Sequence, residues 1–331
     1  MKRLLLVFLS FMLVSCATGG KNGWIKDPYS VYSQTEYICA VGYGHNSEEA
    51  AINAKRELAS LFGMSIESVT KRTLNEELRD NGIAVSETYS ELFSSDTETS
   101  VSVDNLFGVR IAEETEIDGR TVALAVMERV PTIEHYRKEL PFMKQALLDL
   151  EQSIADNAAT FYSIGLASEY YRSVESYNAN VGIYNYLSGA DWEYYDLARA
   201  RDVVLSASSL VSVDVLVEGD ESGAVEAALS ELFTDSGFRV AADDQEASSI
   251  AAVTVTWSEF KGIGNPFTFA NYNVKVSISD TSTGKSVFVY DFAGKEGHQT
   301  FDGAKTRAVM KIVEELETEF KNKLFSAYLD G

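Results

Sequence analysis

Soft metal ligands and chain-breaking residues are scarce in this 331-residue sequence. Two cysteines and three histidines are too few for a zinc site or a disulfide framework. Four prolines and 22 glycines exclude a collagen-like or low-complexity chain. Basic residues are also in short supply: 28 Lys and Arg stand against 50 Asp and Glu, a formal charge of −22. Neutralising phosphates takes clustered Lys and Arg, so nucleic acid and anionic lipid headgroups are poor partners. No apolar run reaches the about 20 residues that a bilayer-spanning helix needs. What is present, 45% apolar and 24% charged residues, is the composition of a folded protein.

The chain opens with Lys2 and Arg3, then an apolar run from Leu4 to Val14 that ends in Leu13-Val14-Ser15-Cys16. A run this short after basic residues reads as the h-region of an export signal. Leu13, Val14, Ser15 and Cys16 match the bacterial lipobox. In lipoproteins with that motif the cysteine thiol is diacylglycerated, the signal is cut before it, and the new N-terminus is acylated, commonly with palmitate. Several acyl chains, at about 0.8 kcal/mol per buried methylene, hold a protein far more firmly than one. The expected covalent group is therefore an N-acyl diacylglycerol at Cys16, with no other cofactor. Ala17 after the cysteine resembles lipoproteins released to the outer membrane, facing the periplasm or the cell surface.

Patterning divides the remainder. Residues 1–15 read as the signal peptide and 16–30, broken by Gly19, Gly20, Gly23 and Pro28, as a flexible tether. From 31 to 131 the expected order is β-α-β-β. A strand Tyr37–Val41 leads to Gly42-Tyr43-Gly44, then comes an amphipathic helix capped at Asn46 or Ser47, then two strands about Asp118-Gly119. Asp-Gly between β-rich runs is a strong hairpin cue, because a type I′ turn needs positive φ at both positions. Residues 132–205 show two apolar stripes in 4-3 alternation, an antiparallel helical hairpin with Pro141 near the start of its first helix, and a third short helix from Asp191 through Arg201. Residues 206–331 read β-α-β-β-β-α, with a short edge strand near Phe238–Val240 and a closing helix over Phe301–Tyr328. The expected fold class is α+β: two small α/β-sandwich-like domains joined by the helical hairpin.

The segment Tyr37-x-Cys39-Ala40-Val41-Gly42-Tyr43-Gly44, the alanine-spaced helix after it, and Gly119-Arg120-x-x-Ala123-Leu124-Ala125-Val126-x-x-Arg129 resemble the LPP-twenty family of bacterial lipoproteins over roughly 24–131. The hairpin Asp280-Thr281-Ser282-Thr283-Gly284-Lys285 and the long closing helix resemble the α/β domain of penicillin-binding-protein activators, curli-type secretion lipoproteins and the amino-terminal domain of the Tol propeller protein. These resemblances imply an envelope protein and supply no catalytic residues.

Enzyme motifs fare poorly. Gly42-x-Gly44 imitates a dinucleotide-binding turn, but Ser47 replaces the third glycine and Phe62 stands where an acid belongs. Gly284-Lys285-Ser286 lacks the first glycine of a phosphate loop and lies in a hairpin. His45 and Glu48 have no second histidine nearby, and no metal site or catalytic residue emerges from the scattered histidines. Gly294–Thr300 reads as a polar loop.

Aromatic residues carry the remaining signal. Phe161–Tyr195 holds eight of the 17 tyrosines, and Tyr171, Tyr186, Tyr194 and Tyr195 fall off the helical stripe. Exposed tyrosines are enriched at interfaces. Either this helical face or the apolar loop carrying Phe267 and Phe269 is expected to touch another protein. The sequence thus points to a non-enzymatic, lipid-anchored adaptor or structural component of an envelope assembly such as flagellar, peptidoglycan-synthesis or secretion machinery. Its partners would be the lipid membrane, through Cys16, and an unidentified envelope protein. The alternative is a carrier or sensor that binds a small ligand between its domains.

Overall fold

A computed structural model describes residues 22–77, 106–241 and 246–329. The lipobox and Cys16 lie outside the described residues, as does the whole stretch between Asn81 and Leu106. The chain is an α+β protein that divides into two compact units, residues 1–61 with 101–134, and 62–100 with 135–331.

The first unit is a three-stranded antiparallel sheet. It comprises β1 (Tyr37–Gly44), β2 (Arg110–Ile117) and β3 (Arg120–Glu128) in the order β1-β3-β2, with α1 (Ser47–Glu77), as far as Leu61, following β1. Asp118 and Gly119 have φ of 50° and 74°, the two positive values that a type I′ turn requires, so the hairpin cue holds. Asn46 Oδ1 accepts from the Glu49 N–H at 2.9 Å and the Glu49 carboxylate accepts from the His45 N–H at 2.7 Å. These two bonds start α1, with Asn46 as its cap. Register puts Ile38, Ala40 and Gly42 on one face with Ala123, Ala125 and Met127. α1 lies so close to this face that a Cβ on Gly42 would sit 2.0 Å from the Ala54 nitrogen. The glycine pair therefore serves helix–sheet contact and leaves no room for a pyrophosphate.

The opposite face carries Cys39, Val122, Leu124 and Val126, and Trp24 covers it with only 3% of its surface exposed. Ile25, Tyr29, Tyr32 and Tyr37 pack around this cluster. The expected flexible tether 16–30 is corrected here over its described part. Gly23–Ile25 and Pro28–Ser30 form 3-10 turns, the second capped by Asp27, which accepts from the Tyr29 N–H at 3.1 Å. The reason lies in β3, where Val122 to Met127 are all buried, so an apolar face remains that α1 cannot reach. Burial places Cys39 as a strand core residue and pushes its thiol pKa up to about 11.

The second unit takes the chain from His135 within α2 (Arg129–Asp156). α2 follows β3 directly with Pro131 in its first turn, where a missing N–H costs little. Pro141 lies inside the helix rather than at its start. α3 (Phe161–Ser188) runs antiparallel to it: Glu151 meets Tyr170, and Met143 meets Asn180. Thr160 caps α3 and Gly189, at φ 69°, ends it. α4 spans Leu197–Leu210, so the third helix begins later than expected.

A five-stranded sheet follows, built from β4 (Ser212–Glu218), β5 (Arg239–Val240), β6 (Ser249–Lys261), β7 (Thr268–Asp280) and β8 (Ser286–His298) in the order β5-β4-β6-β7-β8. β4 pairs in parallel with β5 and β6, and the remaining pairs are antiparallel. One face, with Val213, Val215, Val253, Val255, Val274, Val276 and Ile278, is buried under α5 (Ala224–Asp235), α6 (Phe301–Glu315) and the turns that follow. β8 extends to His298, so most of Gly294–Thr300 is strand rather than loop. Gly294 and Gly297 accommodate the rings of Tyr272 and Phe269 from β7. The closing helix is interrupted by a π-helical turn, Leu316–Phe320, before α7 (Lys321–Leu329). Ala304, Ala308, Ile312, Leu316, Phe320 and Leu324 are all buried at every fourth residue. A row with that period drifts around an α-helix of 3.6 residues per turn, and the wider turn brings it back toward the sheet.

Trp24→Ala should destabilise the first unit by about 3–5 kcal/mol, read as a lowered urea midpoint for that unit. A segment that merely tethers would show no change.

Candidate functional site

The feature with the most built-in order is the segment between α3 and α4. Two asparagines seven residues apart on α3 hold it. Asn185 Oδ1 accepts from the Trp192 N–H at 2.8 Å, and its Nδ2 donates to the Trp192 carbonyl at 3.0 Å. Asn178 does the same with Tyr195, at 2.8 and 2.9 Å. Each amide uses one donor and one acceptor here, as a neighbouring strand would, so the segment stays extended until Asp196 caps α4 by accepting from the Arg199 N–H at 3.1 Å. Rings lock it further. Trp192 Nε1 donates to the Tyr177 hydroxyl at 2.8 Å, Tyr195 meets Tyr177 edge-on at 5.2 Å, and Trp192 meets Tyr184 at 5.7 Å.

Beside this segment lies an open cleft of about 250 Å³, lined by Lys144, Glu151, Tyr170, Tyr194, Tyr195 and Arg199 among others. The Tyr170 hydroxyl donates to Glu151 Oε1 at 2.5 Å, and Lys144 Nζ stands 5.9 Å from the centre of the Tyr195 ring. Burial first, then the Glu151 hydrogen bond and charge, hold the Tyr170 hydroxyl far above the usual tyrosine value. Burial, and after it Glu151, raises Tyr195 in the same direction. These phenols are therefore neutral hydrogen-bonding groups around neutral pH, in a cleft carrying both signs of charge.

The sequence-predicted aromatics separate. Tyr194 and Tyr195 are half-buried in the cleft wall. Tyr186 is exposed and meets Phe62 edge-on at 5.3 Å. Tyr171 is only 3% exposed, which corrects its reading as an interface residue. α3 is buried on more than its stripe, because it packs on both α4 and α7. Phe267, 45% exposed, stands in the β6–β7 turn, whereas Phe269 is half-buried over Gly297 with Lys295 Nζ 5.1 Å from its ring centre. Asn178, Asn185, Glu151 and Arg199 escaped the sequence reading. The two asparagines did leave a signal, a polar pair at i and i+7 beside the tyrosines of a helical stripe.

His298 shares its Nδ1 with Thr300 at 3.3 Å, a local turn contact. Among the described residues no group of three or more His, Cys, Asp or Glu could hold a metal ion, and no helix is long and apolar enough to cross a membrane.

No known family model matches the chain, and no curated protein does. Among solved structures it is similar to the secreted protein HP1454 of Helicobacter pylori, with 11% identity and a TM-score of 0.45 over 89% of this chain and 97% of that one. A putative lipoprotein of Caulobacter crescentus matches 34% of this chain and 88% of its own at 8% identity and a TM-score of 0.26. Lipoprotein GNA1162 of Neisseria meningitidis matches 32% of this chain and 97% of its own at 13% identity and a TM-score of 0.23. Similarity at this level identifies neither a family nor a function.

Tyr170→Phe should cost about 1–2 kcal/mol at neutral pH through the lost hydrogen bond. A raised folded-state value means the protonated phenol stabilises the fold below about pH 10, and that contribution is lost as pH rises toward the folded value. Urea midpoints followed upward from neutral pH should therefore fall less steeply with alkali in Tyr170→Phe than in the wild type.

Proposed function

We propose that this protein is a non-enzymatic, lipid-anchored adaptor of the bacterial envelope, held by acyl chains on Cys16 and contacting another envelope protein through the clamped segment 189–196 and its cleft. The observation that carries this reading is the pre-ordered aromatic wall. Tyr194 and Tyr195 lie in a segment fixed by the bonds of Asn185 to the Trp192 backbone and of Asn178 to the Tyr195 backbone, so a partner pays little ordering entropy on contact. Lys144 and Arg199 on one hand, and Glu151, Glu193 and Asp196 on the other, offer charges of both signs to a peptide segment. A carrier for a small molecule would favour an enclosed, mostly apolar cavity. This cleft is open and carries five charged groups.

The anchor reading gains a geometric consequence. With Trp24 buried in the first unit, seven residues separate it from Cys16 and span ~25 Å at most. That is half of the ~50 Å available to a tether extending to Ser30. Such an adaptor would work close to its own membrane.

Cys16→Ala should abolish incorporation of labelled palmitate, and the precursor should no longer be cleaved before that position. Retained label would overturn the anchor. For the partner, a photo-crosslinking amino acid at Tyr195 in intact cells should give a discrete adduct that weakens with Lys144→Glu, while the same probe at exposed Met310 on α6 gives none. Equal patterns at both positions would remove the cleft as the contact.

A further inference from the structure

The β6–β7 hairpin reaches beyond the helices that cover the sheet. Burial alternates along β6 as far as Val255, but Ser258 to Lys261 are all exposed. At the end of this ribbon the turn is ordered: the Asn265 N–H donates to the Gly262 carbonyl at 3.1 Å and Asn265 Oδ1 accepts from the Phe267 N–H at 2.9 Å. It presents Ile263 at 108% exposure, with Phe260 at 52%. Phe260 lies 6.2 Å from Phe269 on the open face of the sheet. The charge here departs from the rest of the chain. Against a total of −22, the ribbon end is close to neutral: Lys261 and, from β8, Lys295 stand with Glu259 and Glu296, and no acid lies between Phe260 and Ser279.

We infer that this tip is a membrane contact in its own right, with Phe260, Ile263 and Phe267 entering the headgroup–acyl boundary of a lipid bilayer. A convex apolar point has no concavity to receive a partner's side chain, but it matches a fluid surface. The lysines behind it have stems long enough to keep their ammonium groups in the headgroup layer. With Lys261 and Lys295 balancing Glu259 and Glu296, the tip is near neutral on a strongly acidic chain and meets lipid phosphates with little repulsion. Contact is expected on a zwitterionic bilayer, where apolar insertion suffices. The inference rests on the membrane-anchored reading only for proximity; the contact itself belongs to the tip.

The test uses the full chain, purified from bacterial membranes and reconstituted into phosphatidylcholine vesicles. Ile263→Cys carries an environment-sensitive fluorophore; Cys39 is buried and does not compete for it. Co-flotation with the vesicles reports the anchor at Cys16 and the fluorophore reports the tip, so the two readings fail separately. A blue-shifted emission that spin-labelled lipids quench, absent when the probe sits at exposed Leu216 on the open sheet face, is the expected result. Phe267→Asp should lower the ratio of inserted to free tip about tenfold. Emission at 263 equal to that at 216 would overturn the inference. So would a probe that stays in water on lipid alone and becomes shielded only in whole cells, which would indicate a protein contact instead.

Discussion

Two side-chain amides on one face of α3 hold the ordered aromatic surface of the second unit. Asn178 and Asn185 each satisfy a backbone N–H and a backbone C=O in the segment that leads to α4. A half-buried segment of irregular backbone is costly unless its polar groups find partners. Without these amides the run from Gly189 to Tyr195 would need water or another strand. With them it stays extended, sets where Asp196 begins α4, and brings Tyr194, Tyr195 and Trp192 against α3. The cleft beside it follows from this arrangement, since its walls are the clamped segment, Lys144 and Glu151 of α2, Tyr170 of α3 and Arg199 of α4.

Coverage of apolar faces plays the corresponding part in the first unit. β3 is central in its sheet and buried on both faces, a pattern common to sheets packed on two sides. α1 covers one face at very close range because Gly42 and Gly44 have no Cβ. Trp24 and its neighbours cover the other. The described part of the expected tether, from Asn22 to Ser30, thus belongs to the first unit. The second unit leaves one sheet face open, but with Ala252, Thr254, Ser277 and Lys275 there it needs no cover. Leu216 and Val289 stand singly on that face, whereas Phe260, Ile263 and Phe267 are exposed together at the end of the β6–β7 ribbon.

Local signals succeed best where a single residue's backbone preference decides the structure. Asp118-Gly119 makes its turn, Asn46 and Glu49 start α1, and Gly189 ends α3. The α+β class follows from the spacing of apolar residues. Boundaries slip where a distant contact intervenes. Amides from α3 keep 191–196 out of α4, while rings from β7 settle over Gly294 and Gly297 and extend β8. Periodicity misplaces Tyr171 because it shows one buried stripe along α3, whereas α4 and α7 bury additional sides.

What the amino-acid sequence determined by itself was everything set by neighbours along the chain: element types, turns, caps, a scarcity of histidine and cysteine and a strongly acidic charge. What only the tertiary structure decided was which side chains meet across long separations. The pairing of Asn178 with Tyr195, of Glu151 with Tyr170, and of Trp24 with Val122 and Leu124 on β3 depends on how elements pack. The physical reason is that hydrogen-bond partners and ring contacts are chosen by distance in space, and a one-dimensional pattern records only which faces are apolar, not what will cover them.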